Sequence, residues 1–320
     1  MKKIVDIGDS ESKQKNRSNI FFSLKNSSKS IPTRYLYDEL GSKLFEQICN
    51  TEEYYLTRVE QYLLETNASE IVKLSNPTDI FEFGSGSSKK TTLLIGEQFE
   101  NNPNISYSSL DISRKALKMT FEQVKKINNK IQINLFKGDF LSDLKKVQLI
   151  NTPRLFLFLG STLGNFDDKI ALAFLTGLRK VMKKKDYFLL GIDMLKEESI
   201  ITSAYNDSKG ITKRFNKNIL QVVNKKYKLK FNKNNFEHQA YFNSRKSQIE
   251  MYLKSKKEHK IQLPDNSSIQ INSGEKILTE ISRKFSFKVI QSLLKKSDLK
   301  IEKKFQDKKK YYTLMLIRRL

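Results

Sequence analysis

The chain has 320 residues, 38% of them hydrophobic and 11% aromatic, which suggests about two cored domains. Its single cysteine, Cys49, excludes an internal disulfide and points to a reducing, cytoplasmic setting, and with only two histidines beside it no metal site is expected; no apolar run reaches the roughly 18 residues of a membrane span, and the N-terminal apolar stretch is too short for a secretory leader. The formal charge of +24 invites a nucleic-acid partner, yet 48 of the 59 basic residues are lysines scattered over the chain and only 11 are arginines, so no dedicated phosphate-binding surface is expected.

Residues 1 to about 30 are polar, rich in Ser, Asn and Lys, and read as a loose arm. A helical section begins near Ile31, with Pro32 at its start and Leu36, Leu40, Leu44, Phe45 and Ile48 at helical spacing; a second long helix covers 53–75. Strand and helix then alternate. Strands are expected over 79–83, 106–111, 133–137, 154–159 and 187–194, with helices over 91–100, 113–127 and 170–181. This is the pattern of a doubly wound α/β sheet, and the unbroken apolar run at 154–159 suits a strand buried on both faces. The pattern breaks after Met194. Helical pieces near 200–209 and 212–223 and strand-like stretches at 237–242, 248–253 and 260–263 read as an inserted module, after which a helix over 287–295 and strands over 300–305 and 312–318 complete the sheet.

Chemistry concentrates where the strands end. The first strand runs into Gly84-Ser85-Gly86, a turn that lets a ligand approach the backbone, and Asp111 follows at the end of the next strand, a spacing that suits a carboxylate gripping a ribose. The third glycine of a dinucleotide fingerprint is replaced by Lys89, which turns the reading away from NAD and FAD. With Glu82 two residues ahead of the first glycine, the segment resembles the first motif of S-adenosylmethionine-dependent methyltransferases. Asp139 can accept an adenine amine and Phe140 can pack beside the ring, the plainer role for Asp139 being that of a helix cap. The loop Gly160-Ser-Thr162-Leu-Gly-Asn165 follows a buried strand, and an amide there can orient an amine or a carboxylate or simply satisfy the loop's own backbone.

Ordered blocks along the chain carry a more specific resemblance. They are Tyr37-Asp-Glu-Leu-Gly-Ser-Lys-Leu-Phe-Glu-Gln-Ile48, Glu53-Tyr-Tyr-Leu-Thr-Arg58, Glu82-Phe-Gly-Ser-Gly86 with Lys90-Thr91, Phe158 to Asn165, Ala204-Tyr205, Gly210-Ile-Thr212, Phe215-Asn216, Ile249-Glu-Met251 and Leu278-Thr-Glu-Ile-Ser-Arg-Lys-Phe285. From about Ile31 onward the chain resembles the histidine Nα-methyltransferase family of ergothioneine biosynthesis. The resemblance implies an α/β fold: a Rossmann-like class I methyltransferase domain with a seven-stranded sheet and an inserted α+β substrate-binding domain. It divides the chain into an arm and helices at 1–59 that contribute to the substrate domain, a cofactor-binding core at 60–195, a substrate-binding insertion at 196–283, and the end of the core at 284–320.

The resemblance also assigns residues. Tyr54, Gly84, Lys90, Asp111, Asp139 and Phe140, with Ser85 and Gly86 of the turn, would hold S-adenosylmethionine. Asn165 and Tyr205 would hold the α-amino and carboxylate groups of L-histidine, with Gly160, Thr162 and Thr212 lining the same region. Tyr37, Glu280 and Ser282 would recognise the imidazole beside Met251, and Phe45 would face the methylated nitrogen. Asn165, Tyr205 and Tyr37 thus form the expected catalytic set. The implied reaction is trimethylation to hercynine by a monomeric enzyme. Methylation of another aromatic amine, such as a tryptophan derivative, and an RNA-directed role stay open as alternatives. One departure is Leu56, where the family commonly has proline.

Overall fold

The computed structural model describes residues 4–8, 20–86, 88, 90–147, 149 and 152–320. Lys89 and residues 9–19 of the expected arm lie outside them. The chain forms two units, one from residues 4–8, Leu56–Leu195 and Phe285–Leu320, the other from the described residues up to Tyr55 and Lys196–Lys284.

The first unit is built on an eight-stranded sheet in the order β1-β4-β3-β2-β5-β6-β13-β12. Its strands are β1 (Val5–Asp6), β2 (Asp79–Phe83), β3 (Ser106–Asp111), β4 (Gln132–Lys137), β5 (Arg154–Phe158), β6 (Tyr187–Asp193), β12 (Leu299–Gln306) and β13 (Tyr312–Arg319). Pairings through β6 are parallel, whereas β13 runs antiparallel to β6 and β12 to β13. β2, β3 and β5 are buried at every residue, as expected of strands covered on both faces. The sheet has one strand more than expected. Val5–Asp6 pairs with Phe136 and Lys137 of β4, so the start of the presumed loose arm is a short edge strand, with too few residues for a periodic signal.

Helices cover the sheet where the sequence supplies caps. Ser113 accepts the Ala116 N–H at the start of Arg114–Ile127, and Asp167 accepts the Ile170 N–H at the start of Asp168–Val181. The core against the second of them is unusually aromatic: Phe81, Phe83, Phe156, Phe158, Phe174 and Phe188 form one buried cluster. At the N-terminal ends of the strands the fully buried Arg154 bonds Asp79 and Asp186, each at 3.3 Å, bracing the end opposite the one where ligands bind in such sheets.

The second unit carries an antiparallel sheet β11-β8-β7 (Lys276–Arg283, Gln248–Ser255 and Phe236–Asn243) and a hairpin of β9 (His259–Gln262) with β10 (Ser268–Ile271). β10 and β11 were not apparent from the sequence. The helix Ile211–Tyr227 buries Ile211, Phe215, Ile219, Leu220 and Val223 on one side. The helix Glu39–Cys49 is capped by Asp38, whose carboxylate takes the Gly41 N–H and the Asn218 side-chain amide. A Cβ at Gly41 would stand 1.7 Å from the Leu36 carbonyl oxygen, so only glycine fits there. Among the described residues no helix is long and apolar enough to cross a membrane.

Candidate active site

In the first unit, the candidate cofactor residues gather at the C-terminal ends of β2 to β5. Gly84 and Gly86 are exposed and adopt positive φ, with the buried Ser85 between them. The loop is held from beneath. Glu82, buried in β2, accepts the hydroxyls of Ser88 at 3.2 Å, of Thr91 and of Tyr107, and Ser88 bonds Thr120 at 2.8 Å. Burial pushes the Glu82 carboxyl up to about 7 although those three hydroxyls and the Lys90 charge favour its ionised form. Glu82 is therefore a staple for the glycine loop rather than a ligand-facing group.

Asp111 closes the other side of that loop. Its carboxylate accepts the Ser113 N–H at 2.7 Å and the Ser85 hydroxyl at 3.4 Å. Burial raises its pKa against the backbone N–H groups of Ser113, Gly86 and Ser85. Asp139 accepts the Leu141 N–H at 3.0 Å, so it caps the turn after β4. Phe140 stands edge-on to Phe158 and Phe83, fixed by the aromatic core. After β5, the Thr162 hydroxyl donates to the Leu159 carbonyl at 2.8 Å, and Asn165 ends the 3-10 turn Thr162–Asn165, half-buried.

Glu60, which the sequence reading passed over, ties this end together. It is fully buried and accepts the Gly160 N–H at 2.7 Å, the Tyr312 hydroxyl at 2.6 Å and the Lys90 ammonium. One carboxylate thus fixes two residues of the expected site. Its room is secured by Gly191, where a Cβ would stand 2.3 Å from the Glu60 carboxylate.

The second unit brings together Tyr37, Phe45, Tyr54, Tyr205, Thr212, Met251, Glu280 and Ser282. Tyr54, expected among the cofactor contacts, belongs here by its packing. Ring centroids lie 5.6 Å apart for Tyr37–Phe45, 6.0 Å for Phe45–Tyr54 and 6.1 Å for Tyr54–Tyr205. Phe215 completes the group, 5.5 Å from Tyr37 and 6.0 Å from Phe45. It was part of a matching block but was not singled out, because a phenylalanine on an apolar helix face looks like core. Burial raises the phenols of Tyr37 and Tyr54 well above their ordinary value, so both stay neutral.

Glu280 and Ser282 alternate on β11, and Met251 faces Glu280 across the register with β8. Burial lifts the Glu280 carboxyl to about 7, with the Lys284 charge pulling the other way. Among the described residues no hydrogen bond reaches this carboxylate, which is only 7% exposed. The Tyr205 hydroxyl donates to Ser282 at 2.8 Å, and Lys284, a second residue the sequence reading missed, donates to both oxygens. Supporting bonds hold the frame. Asn216 reaches His238 Nδ1 at 2.9 Å and the Tyr252 carbonyl at 3.0 Å, and Thr279 donates to Asn216 at 2.6 Å. The other His238 nitrogen lies 3.2 Å from the Tyr205 carbonyl, while burial lowers the pKa of the ring. Thr212 gives its N–H to Asp207 at 2.7 Å, which fixes the start of its helix. Of the expected catalytic set, Tyr37 and Tyr205 lie in the second unit and Asn165 in the first.

The family described as histidine-specific, SAM-dependent methyltransferases matches residues 16–319. The chain belongs to this family. It is an S-adenosylmethionine-dependent methyltransferase. It is 33% identical over 270 residues to the histidine N-alpha-methyltransferase of Mycobacterium tuberculosis, covering 84% of each chain. It is 34% identical over 258 residues to the enzyme of the same name from Mycolicibacterium smegmatis, covering 80% of each. An S-adenosylmethionine-dependent methyltransferase structure from Clostridium acetobutylicum matches this methyltransferase with a TM-score of 0.51 at 13% identity, covering 87% of this chain and 98% of that one, and shows the shared fold.

Proposed function

We propose that this methyltransferase acts on the α-amino group of free L-histidine and adds three methyl groups to give hercynine. Glu280 carries the reading. A buried carboxylate that no hydrogen bond reaches among the described residues, two positions from a buried hydroxyl and beside an aromatic group, suits a ring that offers an N–H and a bare nitrogen. Family membership and the two mycobacterial relatives support the same substrate.

The first unit is the cofactor side in this reading. The exposed backbone at Gly84 and Gly86, with the Asp111 carboxylate across the turn, fits a ribose, and Asp139 and Phe140 suit an adenine edge and face. Lys90 serves the amino-acid end of the same molecule. S-adenosylmethionine supplies the activated methyl when bound.

The protein's own work is positioning. In the second unit Tyr205 holds the amino-acid end of the substrate, with Thr212 beside it. Glu280 accepts from the imidazole and Ser282 meets its other nitrogen, while Tyr37 and Met251 pack beside the ring. A small neutral fraction of the α-amine, the form able to attack, is present at physiological pH. Each methyl added removes an N–H and leaves a bulkier cation. The faces of Tyr37 and Phe45 hold that cation by cation–π attraction, about 0.5–2 kcal/mol for each well-placed ring.

Incubation of the protein with S-adenosylmethionine and an equimolar mixture of amino acids, read by mass spectrometry, tests the proposal. Trimethylated histidine is the expected product. Methyl transfer to tryptophan, another amine or RNA with histidine untouched would overturn it.

A further inference from the structure

Glu280 and Ser282 alternate at the end of β11 and Lys284 follows its last residue, so the three occupy alternate positions along the chain. They are 7%, 2% and 2% exposed. The Lys284 ammonium donates to Ser282 Oγ at 3.0 Å and to Tyr205 Oη at 3.1 Å, and it stands 4.8 Å from the Tyr205 ring centroid. The Tyr205 hydroxyl in turn donates to Ser282 Oγ at 2.8 Å. The three groups close a triangle.

An ammonium can only donate, so it sets the direction of its own two bonds, and the Tyr205 hydroxyl supplies the third. Tyr205 Oη accepts from Lys284 and gives its proton to Ser282. Ser282 Oγ receives a hydrogen bond on each of its two lone pairs. Its own proton is what Ser282 then has to offer a ligand. Without the ammonium, one lone pair of Ser282 Oγ is left open and Ser282 can accept from a ligand instead.

We propose that Lys284 is a positioning residue that makes Ser282 an obligatory donor, so that Ser282 and the acceptor Glu280 together admit the neutral imidazole with its one bare nitrogen and one N–H. The inference rests on the histidine reading above and deepens it. An imidazolium, with two N–H groups, sets donor against donor at Ser282. An indole, with one N–H and no bare nitrogen, leaves the Ser282 proton unmatched.

The full-length enzyme tests this through K284M, which keeps the length of the side chain and removes its donors, and K284Q, which restores an N–H donor without charge. K284M is expected to raise the KM for histidine at least tenfold while kcat stays within threefold and S-adenosylmethionine affinity within twofold; K284Q is expected to recover most of the loss. On an S282A background the further effect of K284M should shrink to less than twofold, because the lysine acts through that serine. An unchanged KM in K284M, or effects of K284M and S282A that multiply, would overturn the proposal. A readout on the wild-type enzyme covers the case of a K284M chain that does not fold. In 15N NMR at about pH 6.5, where free histidine is about half protonated, bound ring-labelled histidine should show one protonated and one bare nitrogen. Two protonated nitrogens would overturn the proposal. A wild-type enzyme that does not methylate histidine overturns the functional reading and this inference with it; an active wild type with an indifferent K284M overturns this inference alone.

Discussion

Glu82 and Glu280 are both buried glutamates whose carboxyls burial lifts to about 7, yet their surroundings are opposite. Three hydroxyls converge on Glu82, from the glycine loop, from the start of the next helix and from β3. No hydrogen bond reaches Glu280 among the described residues, and a methionine stands across the register from it. Burial alone therefore does not separate a structural carboxylate from one proposed to meet a ligand. What separates them is whether the fold has already supplied the donors. A satisfied carboxylate knits elements together, whereas an unsatisfied one carries a desolvation cost that a ligand's N–H can offset.

The sharpest way to break this comparison is to remove each carboxylate. Glu280→Ala is expected to lower kcat/KM for histidine by about 10²–10³-fold, roughly 3–4 kcal/mol of transition-state binding, with affinity for S-adenosylmethionine within twofold. Equal losses for both ligands in steady-state kinetics and calorimetry would remove the imidazole role. Glu82→Ala should act on the fold instead. With three buried donors left behind it is expected to destabilise by about 3 kcal/mol in denaturant melts. A stable, inactive variant would show that Glu82 faces the ligand after all.

Glu60 extends the satisfied class, since Lys90, Gly160 and Tyr312 all donate to it. Glu60→Gln cannot accept as strongly from an ammonium, and the expected result is about a tenfold rise in the Kd for S-adenosylmethionine, about 1.4 kcal/mol, by calorimetry. A further effect is in pH dependence. A carboxyl whose pKa rises from the ordinary 4.5 to about 7 on folding gives stability that is present below 4.5 and lost as pH rises through 7. Glu280→Gln removes that loss. Its thermal stability relative to the wild type should therefore grow between about pH 5 and about pH 7.5, and a constant difference would mean that the carboxyl is not shifted.

Much of the first unit was legible from the chain. β5 falls on the unbroken apolar run Leu155–Phe158, as suits a strand covered on both faces, and β2 ends where the chain enters its glycine turn. β1 escaped because two exposed residues carry no pattern. β11 escaped for a different reason. Its polar residues Thr279, Glu280 and Ser282 are buried together, so the usual alternation of apolar and polar is lost in the segment that holds the candidate ring-recognition groups. The family blocks located Glu280 and Ser282 all the same. They did not single out Lys284 or Glu60, whose roles arise from partners distant in sequence: Tyr205 lies 79 residues from Lys284, and Gly160 lies 100 residues from Glu60. A charged side chain that is satisfied over such distances looks in sequence like any other surface charge.

The position of β13 bears on how the chain is made. It fills the sheet between β6 and β12, although more than a hundred residues separate it from β6 in sequence. Until β13 has been synthesised, the edge of β6 that it covers has nothing to pair with, while Lys196–Lys284 of the second unit have already emerged. Sheet closure is then a late, long-range step in biogenesis, and a chain cut short before Tyr312 would present an apolar β6 edge open to pairing with other chains. Release of such a truncated chain as insoluble material, beside a soluble full-length product, is the outcome to look for in cell-free translation.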